Sequence, residues 1–199
     1  HTYDFGNKGL TDTINFLDKN GIEWFGANGK SLIKNINGEK ISVSGFCCLS
    51  SNGFGYINEK RKIGINTLTL ENIKNKLEKD REENAFSVLS FHWGQEHTNY
   101  PNFEHIDLSE IIADKKDVLI HGHHSHVIQG IAKYKNSLVA YSLGNCLFDD
   151  CTSINNKFSL KQNEENRKSF ILEVEIKNSK IVDYKTVGFR EFNGKIELL

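Results

Sequence analysis

Asp117-Val118-Leu119-Ile120-His121-Gly122-His123-His124-Ser125-His126-Val127-Ile128 is the stretch that decides how this chain folds and where its chemistry lies. The tetrapeptide Asp117 to Ile120 is too short for a helix and reads as a strand. It empties directly into a turn in which four of the six residues from His121 to His126 are histidine. Apolar residues on both sides, Val118-Leu119-Ile120 and Val127-Ile128, anchor that turn in the core, which is not how an appended tag is embedded. Side chains on an extended segment alternate faces with period two, so His124 and His126 are expected on one side, where they can share a metal ion. A bare His-x-His pair is more often a solvated, inert turn; four histidines anchored by core on both sides are what favour the ligand reading. Neutral imidazole suits zinc, iron and manganese-type sites.

The same pattern of strand followed by polar turn recurs on either side. Ala85 to Phe91 is a strand-length apolar run that ends on His92-Trp93-Gly94, and Ser137 to Tyr141 ends on Ser142-Leu143-Gly144-Asn145. Helices alternate with these strands. Leu10, Ile14 and Leu17 space a helix over Gly9 to Asn20, closed by Gly21. Leu70, Ile73 and Leu77 space another over Thr69 to Asn84, with Thr69 as its N-cap. Asp107 and Glu110 form a capping-box-like pair that opens a short helix before Asp117. Nearer the start, Ile22 to Phe25 reads as a short strand. Leu32–Ile36 and Lys40–Phe46 flank Asn37-Gly38 as a hairpin, and a Gly- and Ser-rich turn follows. Alternating strands and helices give an α/β sheet, whose ligands gather at the carboxyl ends of strands. His92 would thereby join His124 and His126 as a third imidazole.

Beyond residue 151 the character changes. Thr152 to Lys168 is rich in Asn, Lys and Glu without periodicity and reads as a long solvated loop. Phe170, Leu172, Val174 and Ile176 alternate with polar residues, turn at Asn178-Ser179, and resume to Phe189, an antiparallel hairpin at the edge of a second sheet. The 199 residues fit one domain spanning 1–199.

Composition narrows the function classes. With 25 basic against 26 acidic side chains the net charge is -1, which disfavours a general nucleic-acid binder. The longest apolar runs fall far short of the roughly 20 residues of a membrane span. Because His1 already belongs to a motif, no signal peptide is visible, and any targeting segment is expected upstream. Cys47, Cys48, Cys146 and Cys151 lack zinc-knuckle or redox spacing and read as reduced, mostly core thiols, although the loop length permits a Cys146–Cys151 disulfide.

Several residues carry two readings. Glu96 is either a group supporting the ligands or a solvated strand-end carboxylate. Asn145 is a site residue or a turn former. Trp93, Tyr100 and Phe103 line a pocket or fill the core, and Asp149-Asp150 attracts a cation or forms a solvated acidic turn.

Four blocks, in order, carry a family resemblance. They are His1-Thr-Tyr-Asp4-Phe-Gly6 with the helix and Gly21-Ile22-Glu-Trp-Phe-Gly26 behind it, Phe91-His92-Trp93-Gly94-Gln95-Glu96, Gly122-His123-His124-Ser125-His126, and Tyr141-Ser142-Leu143-Gly144-Asn145. Together they resemble the CapA (PgsA-like) poly-γ-glutamate capsule biosynthesis family, itself similar to calcineurin-like metallophosphoesterases. The resemblance spans His1 to Asp149. It implies a two-sheet α/β/β/α sandwich of metallophosphoesterase type, lacking its N-terminal part in this chain, with a centre for two divalent metals of Mn, Fe or Zn type. It further implies His92, His124 and His126 as ligands, His1 as general acid with Asp4 orienting it, and Glu96, His123 and Asn145 as substrate-facing or supporting groups. A phosphorylated or polymeric substrate, capsule synthase subunits as partners, and association with the cell envelope would follow. The aspartates and asparagine that complete such centres would lie upstream of His1. Ser125 stands in place of a proline, Cys146 in place of an aromatic residue, and His97 where a tyrosine is usual. The adjacent His123 and His124 leave open which of the two ligates.

Overall fold

The computed structural model describes residues 5–48, 64–152, 157, 159–192 and 194–199. His1, Asp4 and most of the Gly- and Ser-rich turn expected after Phe46 lie outside the described residues.

The first helix, α1 (Gly6–Lys19), buries Leu10 and is followed by Gly21 at φ +66°, the left-handed conformation expected of a closing glycine. Ile22 to Phe25 forms no strand: it has no ladder partner among the described residues, and Ile22 and Phe25 are exposed. Strands β1 (Leu32–Ile36) and β2 (Glu39–Cys47) make the expected hairpin, and both Asn37 and Gly38 take positive φ, as a type I′ turn demands. Helix α2 (Leu70–Glu82) is capped as read from the sequence, Thr69 Oγ1 accepting from the Asn72 amide at 3.2 Å.

Strand β3 (Phe86–His92) and helix α3 (Phe103–Lys115) follow. This helix starts at Asn102, so Asp107 and Glu110 lie inside it and do not cap it. Strand β4 (Val118–His123) runs further than its apolar tetrapeptide, carrying His121, Gly122 and His123 into the sheet. Strand β5 (Ile131–Tyr134), which the sequence did not signal, turns through Lys135 into β6 (Ser137–Ala140).

The six strands order as β1-β2-β3-β4-β6-β5, with β2, β3, β4 and β6 parallel and antiparallel strands at both edges. Helices α2 and α3 pack on one face. Ile73, Leu77 and Ile112 meet Leu89, Phe91, Val118, Ile120 and Val139 in a single core. Burying those side chains is the main driving force of the domain.

Two short strands, β7 (Cys151–Thr152) and β8 (Ser159–Leu160), pair at the start of the segment read as a loop. A second sheet then forms from β9 (Lys168–Lys177), β10 (Lys180–Phe192) and β11 (Lys195–Leu198). Its hairpin turns at Asn178-Ser179, both at positive φ, as the sequence indicated; the third strand was not foreseen. Phe170 and Phe189 are buried, and the Phe170 amide donates to Leu143 O at 3.1 Å, tying this sheet to the exit of β6. The α/β sandwich is thus represented by a helix layer, a mixed sheet and a smaller antiparallel sheet.

Among the described residues no cysteine is joined in a disulfide, and Cys146 and Cys151 are exposed rather than core. Among the described residues no helix is long and apolar enough to cross a membrane.

Candidate functional site

The parallel register sets the site. In the β3–β4 ladder Ser90 faces His121 and His92 faces His123, while Leu89, Phe91, Val118 and Ile120 enter the core. Alternation therefore points His92, His121 and His123 away from α2 and α3. The His92 and His123 rings stand 5.0 Å apart, centroid to centroid, and His92 and His124 stand 4.4 Å apart.

Two close approaches hold this edge together. Trp93 is buried, stacks between His105 and Tyr141, and donates its indole N–H to Tyr141 O at 2.9 Å. Only glycine fits opposite: a Cβ on Gly122 would lie 1.9 Å from Tyr141 O and 2.2 Å from Trp93 Nε1. Trp93 is core, whereas Tyr100 and Phe103 are exposed.

Past His123 the chain leaves the strand. His124 and His126 both take positive φ, +99° and +59°, so the segment is not extended and their rings end 6.3 Å apart. Such conformations are costly for a residue with a side chain and concentrate at functional sites. Ser125 is buried and its hydroxyl donates to Val127 O at 3.0 Å, which helps hold the bend.

His126 is fixed by asparagines. Its Nδ1 lies 2.8 Å from Asn145 Oδ1, and Asn145 Nδ2 donates to His126 O and to Asn166 O. Asn145 is therefore a group that orients His126, beyond its position in the turn. Asn166 was missed by reading the sequence. It sits in the Asn-, Lys- and Glu-rich segment read as solvated, yet it is buried, and its Nδ2 donates to His126 O at 3.0 Å and faces His97 Nδ1 at 2.9 Å. No local pattern marks it, because its partners are 40 and 69 residues away. Phe148 closes the other side of His126, its ring edge-on at 4.6 Å.

Burial favours the neutral form of His92, His121, His123 and His124. Desolvation, followed by repulsion from His123 and His124, holds His92 down at about 3, and desolvation followed by His121 and His124 holds His123 at about 4. His121 is lowered by desolvation, and so is His124, where the exposed Glu96 carboxylate pulls the other way. Neutral imidazoles are what a metal ion requires. Glu96 is thus electrostatically coupled to His124 while remaining in solvent.

A ligated ion stands about 3.2 Å from an imidazole centroid when the metal–nitrogen bond is roughly 2.1 Å, so ligands at roughly 90–110° put their centroids about 4.5–5.2 Å apart. The His92–His124 pair at 4.4 Å and the His92–His123 pair at 5.0 Å fit such a half-site. His124 and His126 at 6.3 Å fit only near-opposite coordination or after a small ring movement. Among the described residues no group of three His, Cys, Asp or Glu side chains is already arranged to hold a metal.

Sequence comparison places this geometry in a family. The model of the bacterial capsule synthesis protein PGA_cap family matches residues 1–150, which include every histidine of the site. The chain belongs to the PGA_cap family. It is 31% identical over 157 residues to the PGA biosynthesis protein CapA of Bacillus subtilis (strain 168), covering 75% of this chain and 40% of that one. The capsule biosynthesis protein CapA of Bacillus anthracis is 29% identical over 157 residues, covering 75% of this chain and 38% of its own. A Mycobacterium tuberculosis protein named as a probable polyglutamine synthesis accessory protein is 22% identical over 164 residues, covering 75% and 43%. The chain therefore spans about two fifths of the length of these PGA_cap relatives.

Proposed function

We propose that this chain carries the imidazole-bearing part of a metal-dependent hydrolase acting in capsule or other surface-polymer biosynthesis of the poly-γ-glutamate type, on a phosphoester or related bond. The observation that carries the reading is the convergence of His92, His123 and His124, held neutral by burial, at the carboxyl ends of neighbouring parallel strands. His92 and His124 would hold a divalent ion of Mn, Fe or Zn type, with His126 completing the set after the small movement its 6.3 Å separation requires. When bound, such an ion polarises a phosphoryl oxygen and supplies a water of lowered pKa. Two ions are the expectation, the second set of ligands coming from other parts of the protein.

The chain's own residues would do the rest. Asn145 Oδ1 accepts the Nδ1 proton of His126 and leaves Nε2 as its free lone pair. Glu96, in solvent beside His124, would face the substrate or support the ligands at the rim. His1 as general acid and Asp4 as its orienting partner belong to the same proposal, as do synthase subunits as partners.

A second reading, a non-catalytic binding or assembly subunit that keeps the fold, is favoured by the lack, among the described residues, of three ligating side chains already in register. Hydrolysis of p-nitrophenyl phosphate across Mn, Fe and Zn, by protein that includes the segment upstream of His1, separates the two. The hydrolase reading expects metal-dependent turnover abolished by His124→Ala; no turnover with any of these metals supports the binding subunit.

A further inference from the structure

His97 lies on the loop after β3 and takes no part in the ligand set above, yet it is built into position. Its backbone is left-handed, φ +59°, and its amide donates to Ser125 O at 2.7 Å. Buried Gln129 pins the same loop by donating Nε2 to Thr98 O at 2.6 Å and Tyr100 O at 3.1 Å. An exposed histidine on a loop tied at three backbone points is pre-organised rather than adrift.

The two asparagines fix its protons. Asn166 Nδ2 donates to His126 O at 3.0 Å while its Oδ1 faces the Asn163 amide at 3.4 Å, so its amide orientation is settled by backbone partners. What it offers His97 Nδ1 at 2.9 Å is therefore an N–H, and Nδ1 must be the acceptor. The neutral ring then carries its proton on Nε2. Asn145 is settled likewise: Nδ2 faces two carbonyls, so Oδ1 receives Nδ1–H of His126 and leaves Nε2 of that ring bare. The rings are near-parallel, 27° apart with centroids at 6.0 Å, and both Nδ1 atoms are anchored on one asparagine pair. Their Nε2 edges accordingly turn away from that pair, one a donor and the other a lone pair.

The geometry points to His97 Nε2–H as a donor site for an anionic oxygen, phosphoryl or carboxylate, of whatever binds over His126. It deepens the hydrolase reading and rests on it only for what stands at His126. An N–H donor beside a lone pair discriminates for a ligand that is anionic on the His97 side and cationic or metal-bound on the other.

Long-range ¹H–¹⁵N correlation of the histidine rings tests the tautomers. His97 is expected as the Nε2–H form and His126 as the Nδ1–H form, and Asn166→Asp, whose carboxylate can only accept, should convert His97 to Nδ1–H. Inorganic phosphate and glutarate, titrated separately, distinguish phosphoryl from carboxylate sources. At least one should move the His97 Nε2–H resonance, with affinity falling about tenfold or more in His97→Ala and in Asn166→Asp, as expected for one hydrogen bond to a charged group. His97→Gln, which keeps an N–H donor, should restore part of that affinity. His97 in the Nδ1–H form in the unsubstituted protein, no response to either anion, or affinity unchanged in a folded His97→Ala overturns the inference. Normal metal loading with the wrong His97 tautomer would sink this inference alone. Absent metal with a phosphate-responsive Nε2–H would sink the ligand reading alone.

Discussion

Acidification from about pH 7 to about pH 5 should destabilise this protein chiefly through His92 and His123, and the size of the effect follows from their burial. In the unfolded chain each titrates at roughly 6.5. In the fold they are held at about 3 and about 4. Both native values are depressed, so between about 6.5 and about 3–4 the unfolded state binds more protons, and stability falls as pH falls through that window. Above it the stability is fully present. At about pH 5 each unfolded imidazole has gained about 1.5 pH units of protonation free energy, or about 2 kcal/mol per ring at 1.36 kcal/mol per unit. Part of the His92 depression is repulsion from His123 itself, which counts once for the pair, so the combined loss is about 2–4 kcal/mol. Urea unfolding followed by far-UV circular dichroism at both pH values, on the protein and on a His92→Gln/His123→Gln variant, isolates the histidines from the carboxylates. The variant should lose about 2–4 kcal/mol less on acidification. Equal losses in the two proteins, or ring resonances of His92 titrating near 6.5, would refute the reasoning.

Other expectations concern packing and thiols. Gly122→Ala drives a methyl against Tyr141 O and Trp93 Nε1 and should cost about 3 kcal/mol or more, read as a lowered urea midpoint with altered Trp fluorescence. Asp80, 1% exposed, pairs with Lys76 and accepts from Ser87 Oγ at 2.7 Å; Asp80→Ala leaves the part-buried Lys76 ammonium with only the Ser42 hydroxyl, 2.6 Å away, and should cost about 1–3 kcal/mol in the same assay. Two thiols, Cys146 and Cys151, should react rapidly with Ellman's reagent in the native protein and all four in denaturant; two fast thiols fewer would mean a Cys146–Cys151 bridge.

The parts of the fold legible in the sequence are those specified by nearby residues. Asn37-Gly38 dictates its own turn, the Leu70-Ile73-Leu77 spacing its own helix, and the alternation from Phe170 to Ile176 its own strand. Ile22 to Phe25 has strand-like composition but no ladder partner among the described residues, which composition cannot reveal. The start of α3 was hidden because Phe103, 86% exposed, contributes nothing to an apolar stripe. At the site, His92 was legible as a strand-end histidine. The departure of His124 and His126 from extended geometry was not, since left-handed backbone at a histidine has no sequence signature and here depends on Ser125, Asn145 and Asn166. Asn166 itself could not be read at all: its importance arises only when the β8–β9 connection folds back across the sheet.

Metal content of the purified protein, by inductively coupled plasma mass spectrometry, tests most directly whether His92 and His124 share an ion. A bound divalent transition metal that is lost in folded His92→Ala and His124→Ala variants is the predicted result. Metal stoichiometry unchanged by both substitutions would contradict it.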